Sequence, residues 1–392
     1  MPVFRVGCAR RPDCHGGNHL RRYLRHTESA DHSAGGDREC GVQVNTADLY
    51  QPPGLPVAAQ ILVQNARNVN INNITVDGSN NQISGCAPDI RGIYFQNASG
   101  TISEVVTRNQ VLSSALTGCQ SGQGIFVQSS YSGAGYASAA ANVTIQNSSV
   151  HSFQKNGITV DGPRASGTVS NNFISGQGPT TGAAENGVQI SDGAAGSVIN
   201  NVVVDEIWAP DVFGDTGDAA AGILIYASEN VLVANNVVGT TQFGIATATS
   251  AEYGSTSNNP QGLADRTTIA FNQISNTQLY DAIDACSNHN SITGNTVFNA
   301  AESGIHLDSS CGTTGLSNTV VGNTVNEACA GILAGAGTPP GVTALNQFFN
   351  VANVSVSGNV CTLPSSAPAT AAADLRRLRA ASAQGAHPTP AR

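Results

Sequence analysis

The chain has 392 residues and a formal net charge of −9 at neutral pH. Hydrophobic residues make up 40%, aromatics 5% and charged residues 11%, beside 43 glycines. So few large side chains exclude a wide, aromatic-rich core and suit a narrow interior of Val, Ile and Ala closed by tight turns. Positions 41–373 carry −14, and Lys155 is their single lysine. That balance excludes a basic nucleic-acid face, and it disfavours a strongly anionic polymer unless a cation mediates.

Residues 1–40 are rich in Arg, His and Cys and lack strand periodicity. They contain no apolar stretch of signal-peptide type, so the expectation is an irregular, disordered segment. Cys8, Cys14, His15, His19 and Cys40 are metal-ligand types, but their spacing matches no zinc pattern.

From residue 41 to 363 a phrase recurs, Gly followed by a branched apolar residue. It stands at Gly92-Ile93, Gly124-Ile125, Gly157-Ile158, Gly187-Val188, Gly222-Ile223, Gly244-Ile245, Gly304-Ile305 and Gly331-Ile332, with Ala282-Ile283 filling the gap. Repeats of this length mean a one-dimensional stack of similar units. The shortest, from Gly222 to Gly244 and from Ala282 to Gly304, leave room for little but short strands and turns. Their texture alternates, as in Gly304-Ile305-His306-Leu307-Asp308.

Coils of two or three strands must stack to bury their apolar side, pairing in parallel about 4.8 Å apart. The expected fold is an all-β right-handed parallel β-helix of about ten coils, nearly 50 Å long at that spacing. The residue after Gly and the one two further on, from Ile93/Phe95 to Ile305/Leu307, form the inward column. An interleaved Asn series (Asn73, Asn172, Asn201, Asn236, Asn272, Asn295, Asn323, Asn359) fits turns. Asn tolerates left-handed angles, and stacked amides bond from coil to coil.

Residues 364–392 are Pro/Ala-rich with Arg376, Arg377 and Arg379, a disordered tail or a short helix. No segment is long and apolar enough to span a membrane. Cys86 and Cys119 precede their Gly-Ile phrases by nearly equal distances, and Cys286 and Cys311 fall in consecutive coils. Coil spacing is compatible with disulfides, which would suit an exported protein; buried thiols filling the bore are the alternative.

Asn72-Asn73-Ile74-Thr75-Val76-Asp77-Gly78, Asn156-Gly157-Ile158-Thr159-Val160-Asp161-Gly162 and Ser303-Gly304-Ile305-His306-Leu307-Asp308 resemble repeats of the pectin-lyase-like superfamily. The resemblance covers roughly 65–363. It implies the β-helix fold, and a function among polysaccharide lyases, glycoside hydrolases, epimerases, tailspikes and exported proteins of other roles. A paired-Asp plus Gly-His-Gly arrangement, an Asp-Pro-His motif and lyase-type Arg or Lys bases on the stacked faces are absent, so no catalytic residue is carried over.

The alternation that turns Ile305 and Leu307 inward turns His306 and Asp308 outward, above Asp284 and Cys286 of the preceding coil. Asp284 and His306 should stack about 4.8 Å apart, with Asp308 diagonal to Asp284 at roughly 8 Å between backbones. Asp281 and Glu302 enter the same strands, giving four carboxylates and one imidazole as candidate catalytic groups. The same residues also suit a solvated face. Earlier coils present Tyr94/Gln96, Phe126/Gln128, Gln189 and Tyr226 outward, either lining a sugar groove or buried under loops as a second core.

The insertion 202–221, with Glu206, Trp208, Asp211, Asp215 and Asp218, is a wall for that groove and a calcium candidate. No other cofactor or metal is assigned, and oligomeric state is left open. The reading is an exported β-helix that binds or cleaves polysaccharide, hydrolase before lyase. The alternative is a non-catalytic glycan-binding or structural surface protein.

Overall fold

The computed structural model describes residues 3–6, 44–49, 55–130, 139–209, 219–250, 262–335, 342–358 and 361. The Cys/His set of the first forty residues, Asp211, Asp215, Asp218, Asn359 and the tail 364–392 lie outside these.

The chain folds as a right-handed parallel β-helix. One coil shows the pattern: a first strand Ala141–Gln146, a corner at Asn147, a second strand Ser149–His151, and a third strand Asn156–Asp161. The first strands form one ten-stranded parallel sheet, from Val69–Asn72 to Val342–Ala344. The expected coil count is therefore met. Second and third strands stack in the same way on the other faces. At the first coil, strand Pro56–Gln64 takes antiparallel partners in Val3–Val6 and Thr46–Ala47.

The register follows the Gly-Ile phrase. Ile93, Ile125, Ile158, Val188, Ile223, Ile245, Ile283, Ile305 and Ile332 are successive ladder partners. All are buried in one continuous core that runs the length of the stack. Period-two alternation thus places the apolar column in the bore, where burial of each Val or Ile contributes about 1.5–3 kcal/mol.

The glycine before each Ile is required by close approach. A Cβ on Gly157 would sit 2.6 Å from the Gly187 carbonyl oxygen, and one on Gly222 2.8 Å from that of Gly244. At this pinch the strand skips one step of alternation. The residue before Gly therefore joins the outward side: Asn156 Nδ2 donates to Thr159 Oγ1 at 3.0 Å, although Ile158 between them faces the bore.

The Asn series resolves into two adjacent positions. Asn73, Asn147, Asn171, Asn200 and Asn235 adopt left-handed angles at the corner. The residue after the corner carries the ladder. Asn172, Asn201, Asn236, Asn272, Asn295 and Asn323 each donate Nδ2 to the Oδ1 of the next, at 2.9–3.0 Å, and the ladder ends on Asn346. Three disulfides join Cys86 to Cys119, Cys286 to Cys311 and Cys329 to Cys361. The first two are the expected pairs; the third was not anticipated. Among the described residues no helix is long and apolar enough to cross a membrane.

Candidate functional site

The outer side of the third strands carries both groups of candidate residues. On strands Ile283–Cys286 and Thr296–Leu307, Asp284 and His306 are direct ladder partners, as the alternation requires. Asp281 and Glu302 stand on the same two coils just before the pinch, and Asp308 follows Leu307. All five are buried, with exposures of 1–3%. A solvated face is therefore not what this cluster forms.

Its hydrogen bonds divide the five groups by role. Asp281 is anchored through Oδ1, which accepts the Ser303 N–H at 3.1 Å and the Ser303 hydroxyl at 2.5 Å. Its Oδ2 lies 3.0 Å from His306 Nδ1, fixing the plane of the ring. Asp308 is held on its own turn, accepting the Ser310 N–H at 2.7 Å and the Ser310 hydroxyl at 2.6 Å. Asp284 differs: its Oδ1 is buried without a hydrogen-bond partner. The Glu302 carbonyl oxygen lies 3.7 Å from Cys361 Sγ.

The electrostatics follow from this crowding. Burial, then Asp308, push the Asp284 carboxyl well above the usual carboxylate range, against the opposing pull of His306. Burial pulls His306 down, but Asp281 and Asp308 outweigh it and hold the imidazole well above its ordinary value. One ligand atom from each of Asp281, Asp284 and His306 lies within 4.8 Å of the others.

The aromatic and amide column is brought together elsewhere on the wall, as a buried second layer. Tyr94, Gln96, Phe126, Gln128, Gln189, Tyr226 and Trp208 are 0–6% exposed. The Tyr94 hydroxyl donates to Gln128 Oε1 at 2.5 Å, and Gln128 Nε2 donates to Asp48 Oδ1 at 3.0 Å and Asp161 Oδ2 at 2.8 Å. Gln96 donates to the Ala47 carbonyl at 2.6 Å. Gln189 accepts from Asn156 at 3.0 Å and Asn186 at 3.2 Å. Tyr226 packs with Leu224, Phe243 and Tyr280, and Trp208 with Ala184 and Ala220. Of the two expectations for this column, the covered core is what forms.

The residues missed in the sequence occupy the position before the pinch. Arg91 is buried between Asp48 and Asp89, and stacks 4.4 Å over the Tyr94 ring and 3.8 Å over that of Phe126. Ser303 and Asp281 hold the same position on later coils. The signal was the residue type just before each Gly-Ile phrase, which simple alternation assigns to the bore. Glu206 lies in strand Val202–Trp208, buried near Glu185 and not in a calcium loop. Lys155 is also buried and donates to the Ala184 carbonyl at 2.8 Å.

No family model and no curated protein matches the chain. Solved structures do. One is pectate lyase Pel9A, at 10% identity and a TM-score of 0.43, covering 74% of this chain and 70% of that one. Another is PfbA, a surface adhesin of Streptococcus pneumoniae, at 14% identity and 0.47, covering 79% and 74%. A third is the catalytic domain of a substituted variant of GH87 alpha-1,3-glucanase in complex with nigerose, at 14% identity and 0.38. This chain covers 75% of itself but only 63% of that domain. These likenesses show the fold alone.

Proposed function

We propose that this β-helix acts on polysaccharide as a hydrolase, with the two-coil cluster as its chemical centre. The observation that carries the reading is the Asp281–His306 pair. An imidazole is oriented by a carboxylate that is itself fixed by Ser303, with Asp308 two residues along the same run. In this assignment His306 gives a proton to the glycosidic oxygen as the bond to the anomeric carbon breaks. Asp308, separated from the stacked Asp284–His306 pair by a strand step, takes the proton of the water that adds to that carbon. Asp281, then Asp308, supply the negative field that favours a cation on His306. The three disulfides support a place outside the cytoplasm.

The test is a product-release screen of the whole chain against neutral and acidic glycans, reading reducing ends and ultraviolet-absorbing unsaturated ends together. New reducing ends alone are expected, falling at least ~100-fold in Asp308→Asn with an unchanged melting curve. Unsaturated ends would replace the hydrolase with a lyase. A second reading is a non-catalytic glycan-binding or structural surface protein, favoured by the burial of the cluster. No release from any glycan, with Asp308→Asn as stable as the parent, would establish that reading instead.

A further inference from the structure

Three of the five buried groups of the cluster have a chemistry that one proton does not satisfy. Asp281, Asp284 and His306 converge from two adjacent strands, each offering a ligand atom within 4.8 Å of the other two. Asp284 Oδ1 is buried with no hydrogen-bond partner. An unpaired carboxylate oxygen at that depth costs roughly 1–3 kcal/mol or more unless something pairs with it.

We infer that Asp281, Asp284 and His306 form a binding site for a single divalent transition-metal ion of the zinc class. Three features select it. Once the Asp284 carboxyl and the His306 imidazole have released their protons, the two carboxylates and the neutral ring carry about −2, which a divalent cation cancels within a buried setting. The donors are mixed, and an imidazole suits zinc, copper, iron or nickel, whereas calcium seeks six to eight oxygens.

The dimensions also fit a small ion. His306 Nδ1 and Asp281 Oδ2 lie 3.0 Å apart, close to the edge of roughly 3.3 Å that ligand bonds of about 2.0–2.2 Å subtend in a tetrahedron. The ion would replace the proton now between those atoms, and the Asp284 oxygen would close the third corner.

The surroundings are those of an outer shell. Ser303 donates twice to Asp281 Oδ1, fixing that carboxylate and leaving Oδ2 to face the ring. Asp308 has both oxygens engaged by Ser310 and is not part of the ligand set. Three protein ligands leave a fourth position for water or a substrate oxygen, the arrangement of a reactive rather than a closed structural site. An ion on His306 Nδ1 takes the place of the proton that this ring would give to a glycosidic oxygen, so the ion-bound state is an alternative to His306 as acid; a chain that binds the ion and cleaves nothing satisfies the inference.

The experiment is zinc titration of the metal-stripped whole chain by calorimetry, with metal content measured after dialysis. Cobalt(II) binding is followed by its ligand-field bands. The expected result is one saturable site that weakens at least ~100-fold in Asp284→Asn and in His306→Gln, and about tenfold in Ser303→Ala. Asp284→Asn keeps the shape of the residue and removes a buried charge, so its melting curve separates loss of binding from loss of fold. Cobalt bands of nitrogen/oxygen type that vanish in Asp284→Asn support the assignment. Zinc bound equally by the parent, Asp284→Asn and His306→Gln, or by none of them, overturns it.

Discussion

Two columns of polar side chains run up this molecule under the same coil-on-coil repeat, and they end in opposite states. At the corner after the first strands, seven asparagines stand in register and satisfy one another. Asn236, for example, donates to Asn272 Oδ1 at 2.9 Å and to the Val198 carbonyl at 2.9 Å, while its own Oδ1 accepts from the Asn201 N–H at 2.9 Å and Asn201 Nδ2 at 3.0 Å. On the wall of the third strands, Asp284 stacks on His306 with an oxygen left over. A side chain that both donates and accepts can be stacked on copies of itself without limit. A carboxylate cannot, because it only accepts and repels its own kind. Where a carboxylate enters such a column, the register does not supply the donors that both its oxygens need, and Asp284, between Ala246 and His306, keeps one oxygen over.

The largest expected effect breaks the satisfied column. Asn236→Ala strips one amide from the middle of the ladder: the buried Asn201 N–H loses its acceptor and the Val198 carbonyl loses a donor, while the Asn236 N–H keeps its bond to Asn272 Oδ1. Urea unfolding should show a loss of about 3 kcal/mol, near the upper range for one buried polar group. A loss below about 0.5 kcal/mol would mean that the ladder accompanies the fold without stabilising it.

A smaller effect sharpens the contrast from the acidic side. Burial, then the nearby Glu185 charge, raise Glu206 well above its ordinary 4.5. Glu185 is raised as well, by burial first, against the N–H groups of Ile207 and Gln177 that it accepts. The sign is therefore that of a raised acid. The folded chain holds these protons when the unfolded chain has released them, so stability falls as pH climbs above about 4.5 toward the folded-state values. Glu206→Gln should flatten that slope and gain on the order of 1–3 kcal/mol at about pH 8, with little change near pH 4. Parallel pH–stability curves for the parent and Glu206→Gln would refute the assignment.

How legible each column was in the sequence follows from the same physics. The bore could be read residue by residue, because apolar alternation and a glycine at each close approach recur on every coil: Ile283 and Ile305 are ladder partners as their phrases predict. That register also stacked Asp284 on His306. The corner ladder was half legible. Asn171 and Asn172 are one letter type in the sequence, but the first takes the left-handed corner and the second carries the amide stack.

The wall was least legible. The pinch at Gly304 turns Ser303 outward with Asp281, and no period-two count anticipates a skipped step. Burial of that wall was illegible for a related reason. Whether Tyr94 meets a sugar or Asp48 and Gln128 depends on contacts from distant chain, such as Thr46 donating to Gln96 at 3.0 Å, and periodicity carries no information about them.

The smallest expected effect tests whether this cover belongs to the third-strand wall alone. The outer side of the second strands carries its own apolar row in register, Phe173, Val202 and Val237, exposed by 47%, 37% and 41%. The neighbouring Val203 points into the bore and is fully buried. Valine and threonine have nearly the same shape, so the paired substitutions Val202→Thr and Val203→Thr read only the cost of a hydroxyl on each side of one strand. Val203→Thr should lose roughly 1–3 kcal/mol, because its hydroxyl enters an apolar bore with few free acceptors. Val202→Thr should stay within about 0.5 kcal/mol in the same unfolding measurement. A large loss in Val202→Thr would mean that the second-strand face is covered in solution as the third-strand wall is. The difference between an open and a closed side of the coil would then disappear.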